Sequence, residues 1–148
     1  MTFTDYQALC EQAFALLASK TAIQSHGPGS CQLNDVDVEL LFDEGPSVLS
    51  VVCHLGRPAE AHRTQVYEQL LYLQLLSLHM PGLRFGYDPK LDEVMFCSSA
   101  KVDQSTPGTW LANLMLTMAR QARTWRDGML SGQMVDLAAE LEADLLDN

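Results

Sequence analysis

The stretch at residues 63–80, RTQVYEQLLYLQLLSLHM, limits the fold of this chain more than any other. At about 100° per residue on a helical wheel, Val66, Leu70, Leu73 and Met80 fall on one side, and Tyr67, Leu71, Leu75 and Leu78 on a second. Tyr72 and Leu76 occupy a third. A helix apolar on nearly every side has to be covered from more than one direction, and 148 residues supply one domain with a single sheet to do it. The second cover is expected to be another copy of the same chain. A central core helix in a monomer is the competing reading. Gln65, Glu68, Gln69, Gln74, Ser77 and His79 interrupt the run, which falls short of the roughly 18 to 20 unbroken apolar residues of a membrane span.

The remaining periods place this helix in a mixed fold. Thr4 followed by Gln7 is a capping-box pattern, and Tyr6, Leu9, Cys10, Ala13, Phe14, Leu16 and Leu17 recur at helical spacing, which predicts a first helix over about residues 4–19. HGPGS at 26–30 is a loop. From Cys31 the period becomes two: a short strand over 31–33, a turn at Asn34 and Asp35, then Val36, Val38, Leu40 and Phe42 alternating with Asp37, Glu39 and Leu41. DEGP at 43–46 turns the chain into a third strand over 48–55, apolar on both faces. Pro58 suits the first turn of the central helix, and Pro81 with Gly82 stops it. Residues 83–87 and 91–97 read as a hairpin with Val94 and Phe96 on one face and Met95 and Cys97 on the other. Thr106 before Pro107 opens a third helix over 107–130, with Trp110, Leu111, Leu114, Met115, Met118, Ala122, Trp125 and Met129 on one side and Arg120 and Arg123 opposite.

The expected fold is therefore α+β, an antiparallel sheet with helices in the order α-βββ-α-ββ-α over residues 1–130. Residues 131–148 form an acidic tail. It holds Asp136, Glu140, Glu142, Asp144 and Asp147 without Lys or Arg, and Met134, Leu137, Leu141 and Leu145 keep helical spacing in it. A short docking helix and a solvated tail both fit.

Chemistry is hard to find. The formal charge is -10 and the nine Lys and Arg are scattered, which argues against a nucleic-acid partner. Asp5 and Glu11 fall where a secretory signal would be cationic, then apolar, so a cytosolic location is expected, with Cys10, Cys31, Cys53 and Cys97 reduced and buried. His26, His54, His62 and His79 lack metal-site spacing. Adjacent strand residues Cys53 and His54 point to opposite faces, so they cannot act as nucleophile and base. Asp35, Asp37 and Glu39 could imitate a cation site but lack a binding loop, and no phosphate-cradling motif occurs. No enzyme activity, cofactor or metal is expected. What remains is surplus apolar surface: a stripe on the first helix that includes Phe14, Leu41 on an otherwise polar strand face, and Val48 and Val52 opposite Leu49, Val51 and Cys53. That is the composition of a binding module.

Four stretches carry a resemblance: GSCQLNDVDVELLFDE, SVLSVVCHLGRP, LLYLQLLSLHMPGLRFGYDPKLDEVMFC with its Gly-x-Asp-Pro hairpin, and LANLMLTMARQARTWRDGML. In this order, over about residues 4–130, the chain resembles the class I type III secretion chaperones, the Tir chaperone family. The resemblance implies a homodimer in a bacterial cytosol. It would bind the non-globular N-terminal segment of a secreted effector without ATP and keep it soluble and secretion-competent. Such a segment lies extended on the dimer, sets apolar side chains into surface patches and can add a strand to a sheet edge. Carried over, the dimer contact implies Val66, Tyr67, Leu70, Leu71 and Leu75 with Val94 and Phe96 on the neighbouring strand. Client contact implies Phe14, Leu17, Leu33, Leu41 and Leu49. The alternative is a regulator of the same fold that is not tied to secretion and captures another folded protein.

Overall fold

The computed structural model describes residues 1–79 and 82–132. Helix α1 spans Phe3–Ala18 and opens on a capping box two residues earlier than expected. The Thr2 hydroxyl accepts the Asp5 N–H at 3.2 Å, and the Asp5 carboxylate accepts the Thr2 N–H at 2.9 Å and its hydroxyl at 2.8 Å. A carboxylate that takes two donors is a stronger partner than the Gln7 amide would be for Thr4. Tyr6, Leu9, Cys10, Ala13 and Leu17 form the buried face.

Among the described residues six antiparallel strands follow, one more than expected. They are β1 (Ile23–Ser25), β2 (Ser30–Leu33), β3 (Val36–Asp43), β4 (Val48–Gly56), β5 (Leu83–Asp88) and β6 (Glu93–Lys101). Their spatial order is β1-β2-β3-β4-β6-β5. The added strand is β1, three residues that pair with β2 and are too short to show an alternation. Asn34 and Asp35 join β2 to β3 with φ of 50° and 65°, the two left-handed residues of a tight hairpin whose twist matches its strands. Along β3, Val36, Val38 and Leu40 are buried while Asp37, Glu39 and Leu41 are exposed, as the alternation required.

Helix α2 spans Arg63–Leu76, between short 3₁₀ turns at Glu60–His62 and Ser77–His79. Pro58 therefore lies before the helix instead of in its first turn. The next residue is held elsewhere, because the Ala59 N–H donates to the Leu130 carbonyl at 2.9 Å. Met80 and Pro81, the expected stop, are outside the described residues, as is the acidic tail from residue 133 on. Helix α3 spans Gly108–Asp127 with Pro107 as its N-cap. Thr106 is not the cap because its hydroxyl accepts the Asp103 N–H of the preceding turn. Gly108 lets α3 cross α1 closely: a Cβ there would stand 2.6 Å from the Gln12 Cβ.

The strand residues pointing to one side of the sheet and the buried faces of the three helices merge into one core. Leu111, Met115, Ala119, Ala122 and Met129 of α3 and its following turn are fully enclosed, and Trp125 packs against Phe85 and Phe96 at ring separations of 5.2 and 5.0 Å. Cys10, Cys31 and Cys53 are buried free thiols, but Cys97, on the opposite side of the sheet, is only half-buried.

Candidate functional site

Helix α2 divides its apolar residues between core and surface. Val66, Leu70 and Leu73 turn inward, while Leu71, Leu75, Leu78 and Tyr72 remain 72%, 60%, 73% and 50% exposed along the helix and the turn after it. Four large apolar side chains in one ridge are more than scattered surface hydrophobes, which occur singly.

Polar contacts fix where this ridge stands. Arg63, at the start of α2, donates two bonds to the Asp92 carboxylate at 2.7 and 3.2 Å and a longer one to the Tyr67 hydroxyl at 3.4 Å. The Tyr87 hydroxyl donates to Asp92 at 2.6 Å. These bonds, from Arg63 first and Tyr87 second, hold the Asp92 carboxyl well below the usual carboxylate range. The same bond raises the Tyr87 hydroxyl. Further along α2, the Gln74 side chain donates to the Leu83 carbonyl at 3.1 Å and accepts the Phe85 N–H at 3.0 Å. Between helix and strand lies a cavity of about 260 Å³ lined by Tyr67, Leu70, Leu71, Gln74, Phe85, Gly86 and Tyr87.

A second apolar site lies between α1 and the β1–β2 loop. Tyr6, Cys10, Phe14, Ser25, Pro28 and Gly29 line a cavity of about 220 Å³, with Glu11 beside them. Tyr6 is fixed by donating to the Leu40 carbonyl at 3.2 Å and by stacking on Phe42 at 4.9 Å. Gly29 has φ of 74°, and a Cβ there would stand 2.9 Å from the Tyr6 hydroxyl, so only glycine lets the loop come this near. On the other side of the sheet, Leu41 is 56% exposed. His54 lies there too, its Nδ1 3.0 Å from Glu93 and its Nε2 3.7 Å from Glu39.

Burial pushes the Cys53 thiol up to about 12 and the Cys31 thiol to about 11, which leaves both poor nucleophiles. Among the described residues no group of three or more His, Cys, Asp or Glu side chains is placed to hold a metal ion, and no helix is long and apolar enough to cross a membrane.

The residues implied for the dimer contact separate into two sets. Leu71 and Leu75 stand on the exposed ridge and Tyr67 is half-buried beside it, whereas Val66, Leu70, Val94 and Phe96 are buried in the chain's own core. Those implied for client contact separate likewise: Leu41 is exposed and Phe14 lines the α1 cavity, but Leu17, Leu33 and Leu49 are enclosed. The implied set lacked Tyr72 and Leu78, although the helical wheel had placed both on apolar arcs. It also lacked Gln74 and the Arg63–Asp92 pair, which join residues distant in sequence and leave no periodic signal.

No family model and no curated protein matches the sequence. Solved structures do. A chain of the ExsC–ExsE complex superposes with a TM-score of 0.65 at 19% identity, covering 89% of this chain and 99% of that one. A chain of the HopA1–SchA chaperone–effector complex gives 0.61 at 19% identity, covering 86% and 99%. A chain of the ExoT–SpcS complex from Pseudomonas aeruginosa gives 0.51 at 18% identity, covering 81% and 97%. The order of elements, the antiparallel sheet and these superpositions agree on one result: this chain has the α+β fold of the type III secretion chaperones.

Proposed function

We propose that the chain is a class I type III secretion chaperone. As a homodimer in the bacterial cytosol, it binds the extended N-terminal segment of a secreted effector and keeps it soluble and secretion-competent. The observation that carries this reading is the presence of two separate apolar surfaces, the α2 ridge and the α1 cavity, on a chain with a formal charge of -10. One surface suits self-association and the other suits anchoring side chains of a guest. Tyr67, Leu71 and Leu75 form the dimer seam, which Val66, Leu70, Val94 and Phe96 support from the core. Phe14 and Leu41 meet the client, with Leu17, Leu33 and Leu49 holding those contacts in place. An extended client needs no deep site, and the net charge keeps the exposed leucines in solution while favouring basic segments.

The test is co-purification from the native host followed by limited proteolysis and sequencing of the protected partner fragment. Protection of an N-terminal segment that is unstructured on its own, lost in Phe14→Glu, supports the proposal. A folded partner that survives proteolysis whole would replace it with capture of a globular protein.

A further inference from the structure

The sheet has two edge strands, β1 and β5. In an antiparallel pair, successive residues turn their backbone groups alternately toward and away from the neighbouring strand. On the β5 side the Gly82 carbonyl accepts the Ser99 N–H at 3.1 Å. In that phase Arg84 and Gly86 bond to β6, and Leu83, Phe85 and Tyr87 face the open edge. Gln74 meets two of those outward groups, donating to Leu83 and accepting from Phe85. One amide that donates to a residue and accepts from the residue two further on does what a single residue of a parallel neighbouring strand would do. At β1, His26 donates to Ser30 and Asn34 to Ala22, so Ile23 and Ser25 face outward. The hydroxyls beside β1 serve other groups: that of Ser25 pairs with Gly27 and that of Thr21 donates to the Asn34 side chain. Ser25 also lines the α1 cavity.

We propose that Gln74 is a strand surrogate that closes the β5 edge, so that a segment joining this sheet is admitted at β1 alone. That the admitted segment is the extended client, with an apolar side chain in the Tyr6, Cys10 and Phe14 cavity, rests on the function proposed above; the closure by Gln74 does not. One of the polar residues that interrupt the apolar run of α2 thereby has a task. It prevents the edge nearest the ridge from pairing with any backbone that approaches.

The experiment uses the full chain and Gln74→Leu, with amide exchange at Phe85 and solution mass by light scattering as readouts. Loss of both side-chain bonds should speed Phe85 exchange about tenfold. The freed β5 edge should then meet β1 of another copy, a head-to-tail contact that does not close, so that mass grows with concentration. Ser25→Pro removes an outward N–H without touching the β2 ladder, and adding it to Gln74→Leu should return the mass to the wild-type value. Should Gln74→Leu fold poorly, Gln74→Glu retains the acceptor for Phe85 and should keep that amide slow. The closure is overturned by unchanged Phe85 exchange in Gln74→Leu, by fast exchange in Gln74→Glu, or by growth in mass that survives Ser25→Pro. Failure of the client reading is distinguishable: Gln74→Leu would behave as expected while Ser25→Pro alone left the bound segment of a co-purified partner fully protected.

Discussion

Leu70 and Leu71 are neighbours in sequence and opposites in burial, and substituting each in turn tests folding and the proposed self-association separately. Leu71 is 72% exposed and Leu70 is 7% exposed. Full burial of a leucine side chain contributes about 2 kcal/mol, so Leu71 has about 1.5 kcal/mol still to gain at a dimer seam. Two-fold symmetry makes that about 3 kcal/mol for the pair of copies, and at about 1.4 kcal/mol per decade Leu71→Ala should weaken the dimer roughly a hundredfold. Leu71→Glu should weaken it further by placing a carboxylate in an apolar seam. Neither change should lower the melting temperature of the monomer by more than a few degrees. Leu70→Ala, by contrast, opens a hole in the core at a cost of about 2 to 5 kcal/mol in folding. Sedimentation equilibrium across a concentration series, with thermal melts of the same samples, reads both quantities. A wild-type chain that stays monomeric, or a Leu71→Glu dimer as tight as wild type, would refute the assignment of the ridge.

Phe14→Glu should abolish protection of a bound client segment yet leave dimer mass unchanged, since Phe14 lines the α1 cavity and is remote in sequence from the ridge; pull-down with the purified partner fragment measures it. Asp92 is held below its ordinary value by Arg63 and Tyr87. Its contribution is therefore present above the ordinary carboxylate range, about pH 4, and is lost as pH falls below it. Asp92→Asn should flatten the acid limb of the melting-temperature profile, and an unaltered limb would count against the Arg63 anchor. Cys53, enclosed and raised to about 12, should be modified by a maleimide far more slowly than half-buried Cys97, as mass spectrometry of the intact and digested chain would record.

Periodicity revealed most of the architecture because all but the shortest elements are long enough to repeat. The alternation of β3 and the tight turn at Asn34 and Asp35 stood in the sequence, and so did the inward face of α3. Ile23–Ser25 did not, since three residues that owe their strand geometry to pairing with β2 carry no pattern of their own. The capping of α1 was misplaced for a related reason. Thr2 with Asp5 and Thr4 with Gln7 have the same spacing, and the better acceptor decided between them.

The site was less legible. A wheel shows that α2 is apolar on several arcs, but which arc meets β5 and the turn after α3 depends on tertiary packing, and that is what separates Leu70 from Leu71. Leu33 and Leu49 are client contacts by resemblance, and apolar strand residues like these look alike from either side of a sheet. Their own cross-strand partners, Val36 and Phe42, place them on the side the helices cover. Gln74 reads as an interruption in the sequence because its partners, Leu83 and Phe85, lie beyond a turn and belong to another element.

The close crossing at Gly108 has a mechanical consequence. The Gly108 backbone set directly against the Gln12 side chain leaves α1 and α3 little room to slide past each other. On the proposed function, load on a guest held at Phe14 would pass into α3 and, through Trp125, to the rings of Phe85 and Phe96. Such a grip would engage the whole fold, so the proposed guest should come free by peeling from the surface instead of by bending the helix that holds it.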